Sequence, residues 1–242
     1  MGINFCTPSV FIMFVKTIQV NRYVIIAAGG TGKRIGNELP KQFLPLGGKP
    51  LLMHSIEAFA NQKPEINIII ALPGQYIQFW LNLCEKFIFT VRHSAVVGGN
   101  FRGESVRFAL DGITDKEALV AVHDGARPFV DIKIIEKGYE LALVHGAAVP
   151  VIEITDSLRI VGDGFNHPVE RNNFRSVQTP QCFKLSVLRK AYSQGNLADF
   201  TDDASLVENT GHEIQLFEGN PENIKITTPF DFLVAEAVLN KR

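Results

Sequence analysis

Cysteine is scarce in this chain: three thiols in 242 residues, Cys6, Cys84 and Cys182, with no CxxC pair among them. An odd set that cannot pair off within one chain argues against a disulfide-stapled secreted fold and for a reducing compartment, by default the cytoplasm. An excess of one charge is also missing, since 24 Lys plus Arg stand against 25 Asp plus Glu. A protein that grips a phosphate backbone needs a clear basic surplus, so nucleic acid is not an expected partner. No apolar run approaches the roughly 20 residues of a membrane span, and the most suggestive, residues 10–15, has no basic stretch before it, so no membrane association is expected. Met1-Gly2 opens like a myristoylation signal, but Cys6 stands where Ser or Thr is needed. Residues 1–20 therefore read as a loosely ordered extension, with Met13 as an alternative start, ahead of a single domain over 21–242. HExxH, GxSxG and closely spaced His/Cys/Asp clusters are absent too, which removes the apparatus of zinc hydrolysis and serine acyl transfer.

What is present is an ordinary globular composition, 46% apolar and 20% charged, enough to close a core without staples. From about residue 22 onward, short apolar runs alternate with longer stretches of helical period. The runs at 23–28, 66–72, 119–123, 147–154 and 213–217 read as strands, most of them apolar enough to be buried on both faces, and so as a parallel sheet. Helical periods fall at 51–60, 75–86, 105–112, 132–145, 185–194 and 202–209. A last helix starts at Thr228-Pro229-Phe230-Asp231, with Thr as N-cap, Pro at N1 and an acid at N3. The expectation is an α/β fold, a Rossmann-like mostly parallel sheet flanked by helices. One stretch breaks the rhythm. Residues 157–171 alternate polar and apolar around Gly162-Asp163-Gly164 and then meet Pro168, which suits an exposed β-hairpin, a protruding arm at about 155–175. An arm with open edges needs a cover, and a second subunit supplies one, so a homodimer through the arm is expected.

The first strand runs into Ala27-Ala28-Gly29-Gly30-Thr31-Gly32-Lys33-Arg34-Ile35-Gly36, a glycine-rich turn at the carboxyl edge of the sheet, where ligands of such folds bind. Lys33, Arg34, Lys41 and Lys49 against Glu38 give this segment a net charge of +3 in a chain of net charge -1, so its ligand is an anion. Neither familiar glycine motif fits. A P-loop needs Gly at Ala27 and Ser or Thr at Arg34, and a dinucleotide fingerprint needs its third Gly at Ile35. A nicotinamide-dependent oxidoreductase is weakened accordingly, the more so because the second strand ends in Leu72-Pro73-Gly74 without the acid that would hold a ribose. Lys41, between Pro40 and an apolar run, is placed to reach back to the same anion. A later strand runs into His123-Asp124-Gly125-Ala126-Arg127-Pro128, putting a carboxylate and a guanidinium at another strand end. Asp124 there can hold Mg2+ through one or two oxygens while phosphates and water complete the octahedron. His123 reads as strand packing, not as a base or ligand.

In this order the residues resemble the 2-C-methyl-D-erythritol 4-phosphate cytidylyltransferases of the non-mevalonate isoprenoid pathway, over about residues 22–240. The matching pieces begin with Ala27-Ala28-Gly29 and Arg34, Pro40-Lys41-Gln42, Gly98-Gly99 with Arg102 and Ser105, and His123-Asp124 with Ala126-Arg127-Pro128. They continue through Val169-Glu170-Arg171-Asn172, Gln178-Thr179-Pro180-Gln181, Thr201-Asp202-Asp203-Ala204-Ser205, and Glu222-Asn223-Ile224-Lys225-Ile226-Thr227. The glycine motif alone is common to many sugar nucleotidyltransferases, whereas the ordered set is specific.

The resemblance implies cytidylyl transfer from CTP to 2-C-methyl-D-erythritol 4-phosphate, giving CDP-methylerythritol and pyrophosphate, with Mg2+ on Asp124. By it, Arg34 and Lys41 stabilise the charged pentacoordinate α-phosphorus, and Gly29, Gly30 and Gly32 hold the triphosphate beside Ala27, Ala28 and Gly125. Gly99, Asn100 and Ser105 form the cytidine pocket. Arg171 and Lys225 position the acceptor phosphate, helped by Arg127, Ser157, Thr179 and Thr201, some of them reaching from a neighbouring subunit's arm. The chemistry needs no nucleophile-base pair: a phosphate monoester, with a second pKa near 6, is mostly dianionic at pH 7, so fixed cations and alignment suffice. Ile26, Ile35, Asn100 and Ser157 stand where the family more often has Pro, Met, Asp and Thr. Ribitol 5-phosphate cytidylyltransferases are the alternative. By resemblance they carry Ser-Val before Arg-Pro and Pro-Asn before the arm arginine, where this chain has Gly125-Ala126 and Glu170.

Overall fold

The computed structural model describes residues 20–30, 39–60 and 62–242. Gly32, Arg34, Cys6 and all of the N-terminal extension except Val20 lie outside the described residues. The chain runs through β1 (Asn21–Ala27), a small hairpin of β2 (Pro45–Leu46) and β3 (Lys49–Pro50), α1 (Leu51–Glu57), β4 (Ile66–Leu72), α2 (Ile77–Lys86) and β5 (Ser94–Val97). Then come α3 (Arg102–Asp111), β6 (Ala118–Asp124), α4 (Ile132–His145) and β7 (Ala147–Glu153). The last part carries β8 (Leu158–Gly162), β9 (Phe165–Val169), β10 (Arg175–Val177), β11 (Gln181–Lys184), α5 (Leu185–Gln194), α6 (Asp203–Glu208), β12 (Gln215–Glu218) and α7 (Pro229–Lys241).

The apolar runs make central strands because each strand feeds two cores. In β1, Val24 and Ile26 point into one cluster and Ile25 into the other; in β6, Leu119 and Ala121 divide from Val120 and Val122 in the same way. Side chains alternate across a strand, so only a run apolar at every position satisfies both faces. One face is closed by α1, α2 and α4, which bring Leu52, Trp80 and Tyr139, the other by α3, α5 and α6, which bring Val106, Leu188 and Leu206. The boundaries follow local chemistry. Helix α4 stops at Gly146, whose φ of 89° is left-handed and cheap only without a Cβ. Helix α7 opens with the expected cap: Thr228 Oγ1 accepts from Asp231 N, and the Asp231 carboxylate accepts from Thr228 N.

The sheet is mixed and mostly parallel, in the order β10-β7-β11-β6-β1-β4-β5, with β12 on the outer side of β7. Strands β5, β4, β1 and β6 run parallel, as do β7 and β12, but β11 lies antiparallel between β6 and β7. The apolar pattern marks no strand at β5, β10 or β11, because each is short and edged with polar residues. The expected arm is present as β8 and β9, a separate two-stranded sheet turned by Asp163-Gly164, with Gly164 at a φ of 79° and Pro168 opposite Arg159. Most of its residues are exposed. No helix among the described residues is long and apolar enough to cross a membrane.

Candidate active site

Parallel register aligns the strand ends that make the site. Ala27, the last residue of β1, lies opposite Asp124 at the end of β6 and opposite Ala71 in β4. Gly125 N donates to Ala27 O at 3.0 Å, and a Cβ on Gly125 would stand 3.1 Å from Ala28 Cβ, so a side chain at residue 125 would press on the end of β1. The turn that follows, Ala28-Gly29-Gly30, is braced by Gln42, whose Nε2 donates to Ala28 O at 2.6 Å from a buried position. A cleft of about 670 Å³ opens here. Its described lining brings together Ala27, Ala28, Gly29, Gly30, Lys41, Gly99, Asn100, Ser105, Asp124, Gly125 and Lys225, all expected from the sequence. Phe101, Arg102, Ala126 and Thr227 line it as well.

The wall at Gly99 is shaped by the first turn of α3. Ser105 Oγ accepts from Gly99 N at 3.0 Å and donates to Phe101 O at 3.1 Å, while Glu104 accepts from Asn100 N at 2.9 Å. With the Ser105 side chain buried and its proton committed, its task within this chain is to hold the loop open as a pocket. Backbone groups do the rest: Gly98 N is tied to Leu72 O at 2.7 Å, anchoring the wall to the end of β4.

Asp124 is the electrostatic centre of the floor. Lys225 Nζ lies 2.8 Å from Oδ2, Arg102 Nε 3.4 Å from Oδ1, and Arg127 Nε 3.6 Å from Oδ2. Burial alone would raise the Asp124 carboxyl, but Arg102, Lys225 and Arg127 overcome it and hold the group far below the ordinary carboxylate range, so it is ionised at neutral pH. Arg102 continues the chain of charges, its NH2 lying 2.7 Å from Oδ2 of fully buried Asp203. Burial works against the Arg102 charge, and Asp203 with Asp124 more than restores it. Three cations on two carboxylates leave a surplus positive charge at the floor. Lys41 joins them from the side, its Nζ donating to Ile226 O at 2.7 Å, one residue beyond Lys225. A cleft with a surplus cation and a lysine beside it, entered by a glycine-rich turn, suits a polyanion.

Beneath the floor, His123 is packing and support, as expected. Its Nε2 lies 2.9 Å from Arg127 O, a pure acceptor, so Nε2 carries the proton; Nδ1, 3.0 Å away, then accepts from the Thr179 hydroxyl. Thr179 Oγ1 in turn accepts from Asp124 N at 3.1 Å. Burial pushes the imidazole down to about 4, so it is neutral at pH 7. Thr179 is thereby placed behind Asp124, inside the protein, and does not line the cleft. Arg127 also sits below the surface, with NH1 donating to Asn223 O at 2.8 Å. Arg171, Ser157 and Thr201 are exposed and stand off the cleft wall, Arg171 bonded through NH1 to Thr155 O at the base of the arm. Arg34 and Gly32 fall outside the described residues.

Gln42, Arg102 and Asp203 were legible as motif residues but carried no assigned role. Their signal is the pairing of a buried polar group with a distant partner, which appears only once the chain is folded.

A family model described as "2-C-methyl-D-erythritol 4-phosphate cytidylyltransferase" matches residues 22–241. Curated relatives of that name are similar over most of their length. The Bacteroides thetaiotaomicron protein is 48% identical over 216 residues, 89% of this chain and 98% of the relative. The Phocaeicola vulgatus protein is 46% identical over 91% of this chain and 100% of its own. Among solved structures, the 2-C-methyl-D-erythritol 4-phosphate cytidylyltransferase of Thermus thermophilus superposes with a TM-score of 0.75 at 33% identity, covering 91% of this chain and 100% of that one. The Francisella tularensis structure of the same name gives 0.76 at 31% identity, covering 90% of this chain and 99% of that one.

Proposed function

Since the chain belongs to the 2-C-methyl-D-erythritol 4-phosphate cytidylyltransferase family, we propose how its residues divide the work of that reaction. The enzyme is a nucleotidyltransferase that moves the cytidylyl group of CTP onto 2-C-methyl-D-erythritol 4-phosphate in the non-mevalonate pathway, releasing pyrophosphate. An oxygen of the acceptor's dianionic phosphate attacks the α-phosphorus in line. The new P–O bond forms as the bond to the bridging oxygen breaks, and the electron pair leaves on pyrophosphate. No proton has to be removed first.

The surplus positive charge around Asp124, in a cleft lined by the glycine turn at Gly29 and Gly30 and by Lys41, carries this reading. The glycine turn takes the triphosphate, Lys41 with Arg34 meets the charge that builds at the α-phosphorus, and the pocket of Gly99, Asn100 and Ser105 takes the cytosine end. Lys225, paired with Asp124, meets the acceptor phosphate.

Asp124 is the residue that fits Mg2+. It is one ionised carboxylate at the cleft floor, and no cluster of three or more His, Cys, Asp or Glu among the described residues could hold a metal without help. Such a donor set suits an ion that takes its remaining ligands from triphosphate oxygens and water, and Mg2+ there would neutralise charge developing on the leaving pyrophosphate. Arg171 and Ser157 complete the acceptor side from a second subunit. Support comes from the arm, where Ile160, Val161 and Phe165 are 48%, 78% and 54% exposed, an apolar surface that a second copy would cover. The setting is cytoplasmic, in line with the free Cys84 and Cys182.

The test is direct. CTP is supplied with methylerythritol phosphate or with ribitol 5-phosphate, and pyrophosphate is measured. Release with the first and little with the second is expected; preference for ribitol 5-phosphate would overturn the acceptor assignment.

A further inference from the structure

The Arg102 guanidinium is a fork held at two points. Nε faces Asp124 at 3.4 Å and NH2 faces Asp203 at 2.7 Å, while NH1 makes no hydrogen bond among the described residues and the side chain lines the cleft. Asp203 itself is fully buried and does not line the cleft. Its other oxygen takes the Tyr192 hydroxyl, and its backbone N–H, like that of Ala204, donates to Gln181 Oε1, at 3.1 and 2.9 Å respectively. The acid is therefore immobilised by α5 and β11 before it meets the arginine.

A buried carboxylate with this much fixing is more than α6 needs. The helix start is already capped by Asp202, which accepts from Ser205 N at 3.1 Å. What Asp203 adds is a counter-charge on the far side of Arg102. Without it the planar fork would be free to close on Asp124 with two parallel bonds, the favoured geometry of an Arg-carboxylate pair. That closure would take NH2 from Asp203 to Asp124 and rotate the plane of the fork, changing where NH1 points.

We infer that Asp203 is a positioning residue that acts through Arg102, holding the guanidinium between two carboxylates so that its NH1 is presented to the cleft as a fixed donor to a substrate phosphate oxygen. The inference rests on the cytidylyl-transfer reading and adds to it one substrate contact, Arg102, and the distant acid that aims it.

The experiment is a double-mutant cycle on the full chain, with pyrophosphate release and CTP binding by calorimetry as readouts. Asp203→Asn keeps the shape and an acceptor for Tyr192 but drops the charge. It should lower kcat/KM about tenfold to a hundredfold, the span of one charge-assisted hydrogen bond. Arg102→Lys, a point charge without the fork, should lose about as much. In the Arg102→Lys background Asp203→Asn should add less than about twofold, because the acid has nothing left to aim. Losses that multiply in the double variant, or wild-type kcat/KM in Arg102→Lys, would overturn the inference. If Asp203→Asn does not fold, Tyr192→Phe replaces it: a smaller loss that disappears in the Arg102→Lys background supports the inference, and one that persists there overturns it. Failure of the wild-type chain to release pyrophosphate would sink the reaction assignment, an outcome separate from either result of the cycle.

Discussion

The cleft floor and the arm solve opposite problems. At the floor, Asp124, His123 and Thr179 are buried, Arg127 is nearly so, and all four are bonded to one another or to backbone, so each group is held in place by the fold itself. Along the arm, Arg171, Ser157 and most apolar residues of β8 and β9 are exposed, and among the described residues the Arg171 side chain is tied to the backbone at Thr155 alone. On the proposed division of work, the nucleotide half of the site would be assembled within one chain, whereas the acceptor half would lie on a surface that a second copy has to position. Preorganised electrostatics belongs where charge builds during the reaction, and adjustable docking belongs where a second substrate enters.

Removing the arm should break the comparison most severely. Deleting residues 157–169 is expected to leave CTP binding intact, abolish turnover and halve the mass per particle in light scattering; an unchanged mass would show that the arm is not the dimer contact. Next in size is the floor. Lys41→Ala should reduce kcat by about 10²-fold or more while CTP binding, titrated directly, changes far less, since its charge matters most as the α-phosphorus becomes pentacoordinate. A variant that lost CTP affinity and kept its maximal rate would move Lys41 to a ground-state role.

Arg171→Lys sharpens the contrast from the arm side. Lysine keeps the charge but not the fork, so the rate at saturating acceptor should fall, by up to about 10²-fold for a misplacement near 1 Å, with CTP affinity unchanged. Wild-type behaviour at saturation would reduce Arg171 to a brace for the arm. The smallest effect is on stability. His123 is held near 4 in the fold against 6.5 for a free imidazole. As pH falls, the unfolded chain takes up this proton first, so stability is undiminished above about 6.5 and drains away towards about 4, at about 1.4 kcal/mol per pH unit. Urea unfolding of His123→Gln should show a shallower decline across that window; an identical slope would mean the imidazole is not what titrates.

How much of this was legible depended on whether the cause was local. Helix α4 was readable to the residue, because its apolar period runs up to a glycine and starts after Asp131. The runs at β4 and β6 were readable because burial on both faces makes them apolar at nearly every position, Asn67 in β4 and the terminal His123 and Asp124 of β6 excepted. Strand β11 was not, since Gln181-Cys182-Phe183-Lys184 has two apolar residues between polar ends and becomes a strand only by lying between β6 and β7. At the site, the glycine turn, Lys41 and Asp124 could be found because each sits in a distinctive local motif, and Lys225 through the resemblance of its segment to the family. Arg102 and Asp203 lie in motifs too, but their partnership depends on α3 and α6 meeting in space, and the inward placement of Thr179 depends on β11.

Strand β11 also dictates when the sheet can close. On a ribosome, β6 emerges with β1 on one side and nothing on the other, and it must wait through α4, β7 and the arm before residues 181–184 arrive to pair with it. Until then, the nascent chain displays an open edge of Ala121 and Val122 at the end that carries Asp124, a template for pairing with any other extended segment. A chain released early, before residue 184, would have the glycine turn, Lys41 and Asp124 in full, yet would be an aggregation hazard with no enzyme in it.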